Sequence, residues 1–298
     1  MNRPVVIVGD VIDDIVVTPL SDVVHDTDNH SRIRYVAGGS GANQAAWLAH
    51  LGVPVRFVGR VGARDVDRHR GALEALGVSV FLAGDDEVPT GTIVVLVDPG
   101  GGRTMYTDRG ANLRLSASDI PDGVLDGAAW LQVNGYPLFA DGPRAALLDL
   151  IAEARSRGIP FSVDPCSATF LTEAGVSAFL AWTRGATICF PNSDEGLVLT
   201  GRADPFEAAA ALAEIYPVVA LTIGADGVVV CTADFGPTLL PTDAHVAGDA
   251  TGAGDAFCAG FLAAWLAGES PMEAAQAGLA SAAQAVTVVG ARPLQVPR

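Results

Sequence analysis

A glycine-rich turn near the C-terminus combines groups that hold an anion with a group that removes a proton. Gly252, Ala253 and Gly254 run directly into an apolar helical segment, and Asp255 falls in its first turn. Glycines let consecutive backbone N–H groups converge, and the helix N-terminus adds a partial positive charge, so no cationic side chain is needed to bind phosphate. The same dipole favours the ionised form of Asp255. The turn predicts a bound phosphate beside a carboxylate that accepts a hydroxyl proton.

A second glycine-rich segment, Gly38-Gly39-Ser40-Gly41-Ala42-Asn43, precedes a helical stretch, and Ser40 is its expected N-cap. Its glycines do not match the GxGxxG spacing because position 44 is Gln, which disfavours a dinucleotide site. Close backbone approach and the Asn43 amide suit a polyhydroxylated ligand. For both segments, the alternative is a structural glycine turn in front of a helix.

Polar residues also follow two expected strands. Asn192 and Glu195 come after the strand at residues 187–190, and Thr222, Gly224 and Gly227 mark the end of the next one. The carboxyl ends of strands are where open α/β sheets bind ligands. Helix caps and hairpin turns use the same residue types, so these segments acquire meaning only beside the glycine-rich turns.

The composition excludes several classes of enzyme. All 18 basic residues of the 298 are arginine. Walker A NTPases, protein kinases, pyridoxal enzymes and lysine aldolases all need a lysine that the chain lacks. The formal charge of −16 repels phosphate backbones, so we expect no nucleic-acid partner. No apolar run reaches about 18 residues and the N-terminus lacks a signal-peptide pattern, so we expect no membrane partner and a cytoplasmic protein.

The elements that position these residues are predicted from the hydrophobic pattern. Short β-branched runs alternate with Ala-rich helical stretches, which favours an α/β fold with a mainly parallel sheet between two helical layers. Residues 15–37 and 90–110 break this rhythm and contain strand pairs with no helix to cover them. The runs 91–97 and 103–107, joined through Asp98-Pro99-Gly100-Gly101-Gly102, are a strong hairpin signal. We expect these two segments to form a small, mostly antiparallel lid sheet on a single domain spanning 1–298.

Taken together and in this order, the motifs resemble the ribokinase-like carbohydrate kinases, also called the phosphofructokinase B family. The resemblance runs from Gly9 to Ala291 and depends mainly on the two glycine-rich signatures. It implies a ribokinase-like three-layer αβα sandwich with a β-sheet lid. It also implies transfer of a phosphoryl group from ATP to a hydroxymethyl group, with Mg²⁺ and in many members K⁺. Dimerisation through the lid sheets is implied as well.

The resemblance assigns roles residue by residue. Asp255 is similar to the family's catalytic base, and the backbone of Gly252, Ala253 and Gly254 to its anion hole. Thr222, Gly224 and Gly227 are similar to the family's nucleotide-binding residues. Asn192 and Glu195 match the family's Asn-x-x-Glu element, which helps place Mg²⁺ through water and the phosphates. Positions similar to substrate-binding residues are Asp14, Gly39 and Asn43, and we expect Gly38 and Asn134 to bind the substrate as well. Asp249 and Thr251 resemble part of a monovalent-cation loop.

The chain departs from the ribokinase pattern at three places. Ser40 stands where many ribokinases have Lys, as it does in several nucleoside and other sugar kinases. Asn134-Gly135-Tyr136 occupies the region where ribokinases offer the sugar an acidic residue. Leu294 stands where ribokinases tend to have Ser. These departures argue against ribose as the substrate and leave K⁺ activation open.

Arg109 lies at the end of the predicted lid hairpin, where a guanidinium that points inward favours an acidic sugar. The leading interpretation is an ATP-dependent kinase of a small sugar or sugar acid. A nucleoside kinase is the alternative within the same chemistry, and a sugar- or nucleotide-sensing protein without turnover is the alternative from another class. His69 falls in a charged turn, and we expect it on the surface.

Overall fold

The computed structural model describes residues 3–98, 102–242, 251–287 and 290–294. Thirteen strands and nine α-helices are present within these ranges. The strands are β1 Val5–Val8, β2 Ile12–Pro19, β3 Ser31–Gly38, β4 Val55–Gly62, β5 Ser79–Asp85, β6 Gly91–Val97, β7 Arg103–Asp108, β8 Trp130–Asn134, β9 Phe161–Asp164, β10 Ile188–Cys189, β11 Val218–Thr222, β12 Val228–Thr232 and β13 Thr238–Leu240. The helices are α1 Ser40–His50, α2 Val66–Glu74, α3 Asp141–Ser156, α4 Ala168–Ala174, α5 Val176–Trp182, α6 Ser193–Thr200, α7 Pro205–Ala213, α8 Ala253–Ala267 and α9 Pro271–Ala285.

Nine of the strands form one sheet in the order β13-β12-β11-β10-β9-β8-β1-β4-β5. The pairs from β11 through β5 are parallel, whereas β12 and β13 are added antiparallel at one edge. The central strand β1 consists of Val-Val-Ile-Val and is buried on both faces, as expected for a parallel strand covered by helices. The predicted mainly parallel sheet is confirmed.

Helices bury both faces of this sheet. One hydrophobic cluster packs α1, α8 and α9 against the sheet, with Trp47, Phe257 and Phe261 among its largest members. The other packs α3, α5 and α7 against the opposite face, around Phe161 and Phe179. This is the three-layer αβα arrangement that the alternation of strands and helices predicts. No helix among the described residues is long and apolar enough to span a bilayer.

The remaining strands form a four-stranded sheet in the order β3-β2-β6-β7. The pairs β2-β3 and β6-β7 are antiparallel, and β2-β6 is parallel. Val97 pairs with Arg103, which confirms the hairpin predicted from the sequence. Because successive side chains alternate between the faces of a strand, Asp14, Ile93 and Thr107 share the inner face, and Tyr35, Val94 and Tyr106 share the outer one.

The prediction that His69 lies on the surface is wrong. His69 is fully buried on α2, and its Nε2 lies 3.5 Å from Oδ1 of Asp13 at the base of β2. The surrounding charges suggested a solvent-exposed turn, but the segment folds as an amphipathic helix whose buried face includes His69 and Leu73.

Candidate active site

The side chains with possible chemical roles meet where β8, β9 and β11 end and where α1 and α8 begin. Asp164 is the last residue of β9, and Asn134 is the last residue of β8. Ser40 and Asn43 lie in the first turn of α1, and Asp255 lies in the first turn of α8. The two glycine-rich signatures, more than 200 positions apart in the sequence, therefore form one site.

The N-terminus of α8 has the geometry of an anion cradle. Gly252 is its N-cap residue, with a φ of 80° in the left-handed region that favours glycine. The first amide bonded back into the helix is that of Ala256, which donates to the Gly252 carbonyl. The amides of Ala253, Gly254 and Asp255 therefore have no acceptor within the helix, and they lie at the positive end of its dipole.

Three donors from α1 surround the Asp255 carboxylate. The Ser40 hydroxyl donates to Oδ1 at 2.5 Å, Nδ2 of Asn43 donates to Oδ2 at 2.9 Å, and Nε2 of Gln44 lies 3.3 Å from Oδ1. These residues lie within about one turn of a single helix, so α1 fixes both oxygens of the carboxylate.

The structure corrects the expected role of Ser40. The N-cap of α1 is Gly39, whose φ is 92°, and no side chain caps the helix. Ser40 is the first helical residue, and its hydroxyl is used on Asp255 while it accepts a bond of 2.7 Å from Nδ2 of Asn134. Ser40 therefore belongs to the carboxylate's immediate surroundings.

Loss of hydration raises the pKa of Asp255 to about 6, and the three donors and Arg292 oppose this rise. The carboxyl is therefore ionised at neutral pH while remaining far more basic than an exposed aspartate. A carboxylate with this pKa is suited to accept a proton from an alcohol as that alcohol forms a new bond.

Asp255 and Ser40 line two cavities at once. The first, which we call the carboxylate cavity, has a volume of about 200 Å³ and is lined by Asp164, Glu195 and Thr222, together with Gly252 and Gly254. The second, which we call the sheet cavity, has a volume of about 520 Å³ and lies between the small sheet and the main domain. Asp255 thus stands at the boundary between a phosphate-sized space and a space suited to a small organic ligand.

The carboxylate cavity has an excess of acidic groups. Burial and the charge of Asp255 raise the pKa of Asp164 to about 7, and burial and Asp164 raise that of Glu195 to about 8. Within the described ranges, no three His, Cys, Asp or Glu side chains are close enough together to ligate a metal directly. The carboxylate oxygens of Asp164 and Glu195 are of the ligand type that a divalent cation prefers.

Glu195 is fixed by the start of its own helix. Its carboxylate accepts the Asn192 amide at 2.9 Å, and the Asn192 side chain accepts the Glu195 amide at the same distance. This reciprocal capping box buries Glu195 and leaves both residues lining the carboxylate cavity.

The sheet cavity is lined by both polar and apolar residues. Its apolar lining residues are Ile12, Ile93, Val95, Met105, Tyr136 and Phe170. Its polar lining includes Asp10, Asp14, Asn43, Thr107, Arg109, Ser167 and Thr169. Gly38 leaves room for one of these carboxylates, because a Cβ there would lie 2.2 Å from Oδ2 of Asp14.

Arg109 points inward, as predicted, but its charge is already paired. Its Nε and Nη2 donate to the two oxygens of Asp10 at 3.0 and 2.9 Å, and the pair is buried. A guanidinium whose fork already holds a carboxylate has lost most of its capacity to bind an anionic substrate. The step from an inward Arg109 to an acidic sugar is therefore not supported by the geometry.

The other predicted residues are placed as follows. Asn134 is fully buried behind Ser40 and is not among the residues that line either cavity. Thr222 lines the carboxylate cavity and Thr251 the sheet cavity. Gly224 and Gly227 form the turn between β11 and β12, where a Cβ on Gly227 would lie 2.1 Å from the Leu240 carbonyl oxygen. Asp249 lies outside the described residues.

Three polar residues of the site were not predicted. Gln44 bridges Asp255 and Asp164, donating to Oδ2 of Asp164 at 2.6 Å. Asp164 ends the strand β9, so the strand-end rule that selected Asn192 would have found it as well. Arg292 donates from Nε to Oδ1 of Asn43 at 3.2 Å and from Nη2 to the Gly38 carbonyl at 2.7 Å. No sequence pattern links Arg292 to Asn43.

Comparison with known proteins identifies a matching family. The model of the pfkB family of carbohydrate kinases matches residues 2–297. A 1-phosphofructokinase of Haloferax volcanii is 31% identical over 281 residues, which cover 91% of this chain and 85% of that protein.

Solved structures show the same architecture. The adenosine kinase of Sinorhizobium meliloti superimposes with a TM-score of 0.85 at 25% identity, covering 99% of this chain and 97% of that one. A fructokinase of Vibrio cholerae O395, in a form with bound fructose, ADP and calcium ion, superimposes with a TM-score of 0.82 at 25% identity, covering 97% and 94%. The predicted fold and the predicted family are confirmed.

Proposed function

The chain belongs to the pfkB family of carbohydrate kinases, and on this premise we propose that it transfers the γ-phosphoryl group of ATP to a hydroxymethyl group of a small sugar or sugar derivative. The observation that carries the proposal is the position of Asp255. It separates the carboxylate cavity, beside the N-terminal amides of α8, from the sheet cavity, which has room for the acceptor.

In this proposal the main chain and the acidic residues divide the work. The amides of Ala253 and Gly254 hold the migrating phosphoryl group, whose charge is spread over oxygens that accept hydrogen bonds. Mg²⁺, when bound, neutralises negative charge on the phosphates. Glu195 and Asn192, which line the carboxylate cavity, are the residues that would hold the ion through water. Thr222, with Gly224 and Gly227, would bind the nucleotide, and Thr251 and Asp249 are the candidate residues for a monovalent-cation site, with K⁺ activation left to the assay.

On the acceptor side, Asp14, Gly38, Gly39 and Asn43 bind hydroxyl groups and orient the hydroxymethyl group toward Asp255. Asp255 then accepts the hydroxyl proton as the oxygen bonds to phosphorus. Since the pKa of this carboxyl is raised to about 6, the proton transfer is more favourable than it would be to an exposed aspartate. ATP is produced in the cytoplasm, which is the proposed compartment.

Replacement of the base tests the proposal directly. Asp255→Asn keeps the shape of the side chain but cannot accept the proton, so kcat should fall roughly 10²- to 10⁴-fold while KM for ATP changes much less. ADP release measured with Mg²⁺ and saturating sugar gives both constants. The matched control is Asp141→Asn, since Asp141 is also a first-turn aspartate but is exposed on α3. An Asp255→Asn enzyme that keeps most of its turnover would refute the assignment.

A nucleoside is the second candidate acceptor, and the apolar wall of the sheet cavity favours it. Ile93, Val95, Met105, Tyr136 and Phe170 give the sheet cavity more apolar than polar lining surface. Such a wall suits the flat, weakly polar surface of a nucleobase better than a second polyhydroxylated group. ADP release with ribose, fructose, 2-keto-3-deoxygluconate, adenosine and cytidine separates the two acceptor classes.

We also propose that two copies of the chain associate through the outer face of the small sheet. Ile33, Tyr35 and Tyr106 are more than half exposed on this face, with Ile15 and Val94 beside them. A contiguous apolar face on an uncovered sheet is typical of an interface. Burying this face would also stiffen the sheet that closes over the acceptor.

A further inference from the structure

The segment that contains Arg292 is anchored to both helices of the site. The indole Nε1 of Trp47, on α1, donates to the Ala291 carbonyl at 3.0 Å. On the other side, a Cβ on Gly252 would lie 2.6 Å from Cβ of Ala291, so the segment packs directly against the start of α8. Arg292 therefore has a fixed position relative to Asn43 and Asp255.

Two hydrogen bonds connect Arg292 to Asp255 through Asn43. Nε of Arg292 donates to Oδ1 of Asn43 at 3.2 Å, and Nδ2 of Asn43 donates to Oδ2 of Asp255 at 2.9 Å. An asparagine amide has one accepting and one donating end. Because the guanidinium can only donate, it forces the oxygen of Asn43 toward itself and the nitrogen toward Asp255. Without Arg292, a flip of the amide would place an oxygen against the carboxylate.

We propose that Arg292 is a positioning residue for Asp255, acting through the orientation of the Asn43 amide and through its own positive charge. This inference depends on the proposed function, in which Asp255 is the base. Arg292 does not contact Asp255 itself, and it is not among the residues that line either cavity. Its effect on the reaction is therefore transmitted by Asn43 and by the electric field.

The charge of Arg292 is significant because acidic groups dominate its surroundings. Asp13, Asp14 and Asp255 attract it, and Arg68 opposes them. Burial lowers the pKa of Arg292 to about 10, so it is still a cation at neutral pH. The guanidinium of Arg109 is already bound by Asp10. Nη1 of Arg292 is buried and lacks a hydrogen-bond partner within the described part of the chain, so the cation is not neutralised by a direct hydrogen bond at this atom.

Other titratable groups also face Asp255 and contribute to its ionisation. They lie after β8, at and after the end of β9, and on α8 itself, and they are Tyr136, Asp164, Cys166 and Cys258. Glu195 on α6 lines the same cavity and acts on Asp164. In their anionic forms all of these groups disfavour a second negative charge. Arg292 is the cation among the groups that act most strongly on the Asp255 carboxyl.

The test compares Arg292→Met with Arg292→Lys. Loss of a hydrogen bond to a charged network is expected to lower kcat roughly 10- to 100-fold and to move the acid limb of the kcat/KM profile about 1 pH unit upward, with KM for ATP within about twofold. The limb moves upward because the carboxyl, deprived of the cation and the amide donor, holds its proton more tightly. Arg292→Lys keeps the positive charge but loses the planar guanidinium that orients Asn43. Its acid limb should therefore lie close to that of the wild type, while its kcat should remain lowered.

Arg56→Met is the matched control for stability. Nη1 of Arg56 donates to two backbone carbonyls, of Val124 and Asp126, both at 2.7 Å and away from the site. Its removal should lower the urea midpoint without moving the acid limb. If Arg292→Met and Arg292→Lys behave in the same way as this control, Arg292 is structural and the proposal is wrong.

The same series distinguishes this failure from failure of the proposed function. If Asp255→Asn retains turnover, Asp255 is not the base, and the proposed role of Arg292 falls with it. If Asp255→Asn is inactive but both Arg292 variants keep the wild-type rate and acid limb, only the positioning role is refuted. An inactive Asp255→Asn enzyme with a shifted limb in Arg292→Met supports both.

Discussion

The buried carboxyl groups of the carboxylate cavity should make the stability of the ligand-free protein fall as pH rises. Burial raises the pKa values of Asp255, Asp164 and Glu195 to about 6, 7 and 8, whereas these groups titrate near 4 in an unfolded chain. Between about pH 4 and pH 8 the folded protein therefore binds more protons than the unfolded one. The stabilising contribution is complete below the unfolded pKa and is lost as pH rises through the folded values.

Asp164 is the most informative of the three to change, because it is buried and its charge raises the pKa of Glu195. The pKa of Asp164 is 3.8 without its folded surroundings and about 7 in the folded protein. Since one pKa unit corresponds to about 1.36 kcal/mol, titration of this group should lower the free energy of unfolding by about 2 kcal/mol from pH 5.5 to pH 8. Asp164→Asn removes this part of the pH dependence.

Urea unfolding of both proteins at pH 5.5 and pH 8, without nucleotide or metal, measures the effect. Asparagine has one accepting oxygen, so it cannot satisfy both Nε2 of Gln44 and the Cys166 amide, which now bond to different carboxylate oxygens. Asp164→Asn therefore loses stability at both pH values, and the informative quantity is the difference between the two conditions. That difference should be about 2 kcal/mol smaller in the variant than in the wild type.

Asp85→Asn is the control for the loss of any buried aspartate. Asp85 is buried against Arg60. Hydrogen bonds from the backbone amides of Val88 and Glu87, together with the nearby arginines, lower the pKa of Asp85. A group with a lowered folded pKa gives its full stabilisation above the unfolded value, so this variant should lose the same free energy at pH 5.5 and pH 8. Equal pH dependence in wild type and Asp164→Asn would refute the account of the carboxylate cavity.

Two further predictions concern the phosphate turn and the small sheet. Gly252→Ala should lower kcat about 100-fold and destabilise the fold by roughly 1–3 kcal/mol, because its φ is 80° and the new Cβ would meet Ala291. Gly268→Ala, at a φ of 97° with open space around it, should lose stability in urea but keep its kcat. Tyr35→Asp should convert a dimer to a monomer in sedimentation analysis, whereas Phe206→Asp on α7 should not; a wild-type monomer would end the dimer proposal.

The sequence predicts the fold well where local patterns determine it. The three valines and one isoleucine of β1, the hairpin of β6 and β7, and the alternation of strands with helices all follow from periodicity and turn chemistry. The strand β5 and the short helices α4 to α7 were not predicted. Their patterns are short or mixed, and tertiary packing against the sheet determines their structure.

The site is predictable in its residues more than in its contacts. The glycine-rich turns place Asn43 and Asp255 at helix starts, and the structure brings them within hydrogen-bond distance. The pairing of Arg109 with Asp10 is a long-range contact between β1's end and the hairpin, which no local pattern encodes. Ser40 illustrates the same limit, because a serine before a helix indicates an N-cap unless a buried carboxylate competes for its hydroxyl.

The close approach of two backbones explains how signatures so distant in sequence form one site. A Cβ on Gly41 would lie 2.6 Å from Cα of Gly9, so the start of α1 can pack onto the end of β1 only because both residues are glycine. That contact places Ser40, Asn43 and Gln44 opposite the start of α8, where all three donate to Asp255. In a chain without lysine, the charge of the base is thus controlled by neutral donors of one helix and by the amides of another. Any cation that acts on it must come from elsewhere in the chain, which is why the arginine beyond the last helix acquires a role.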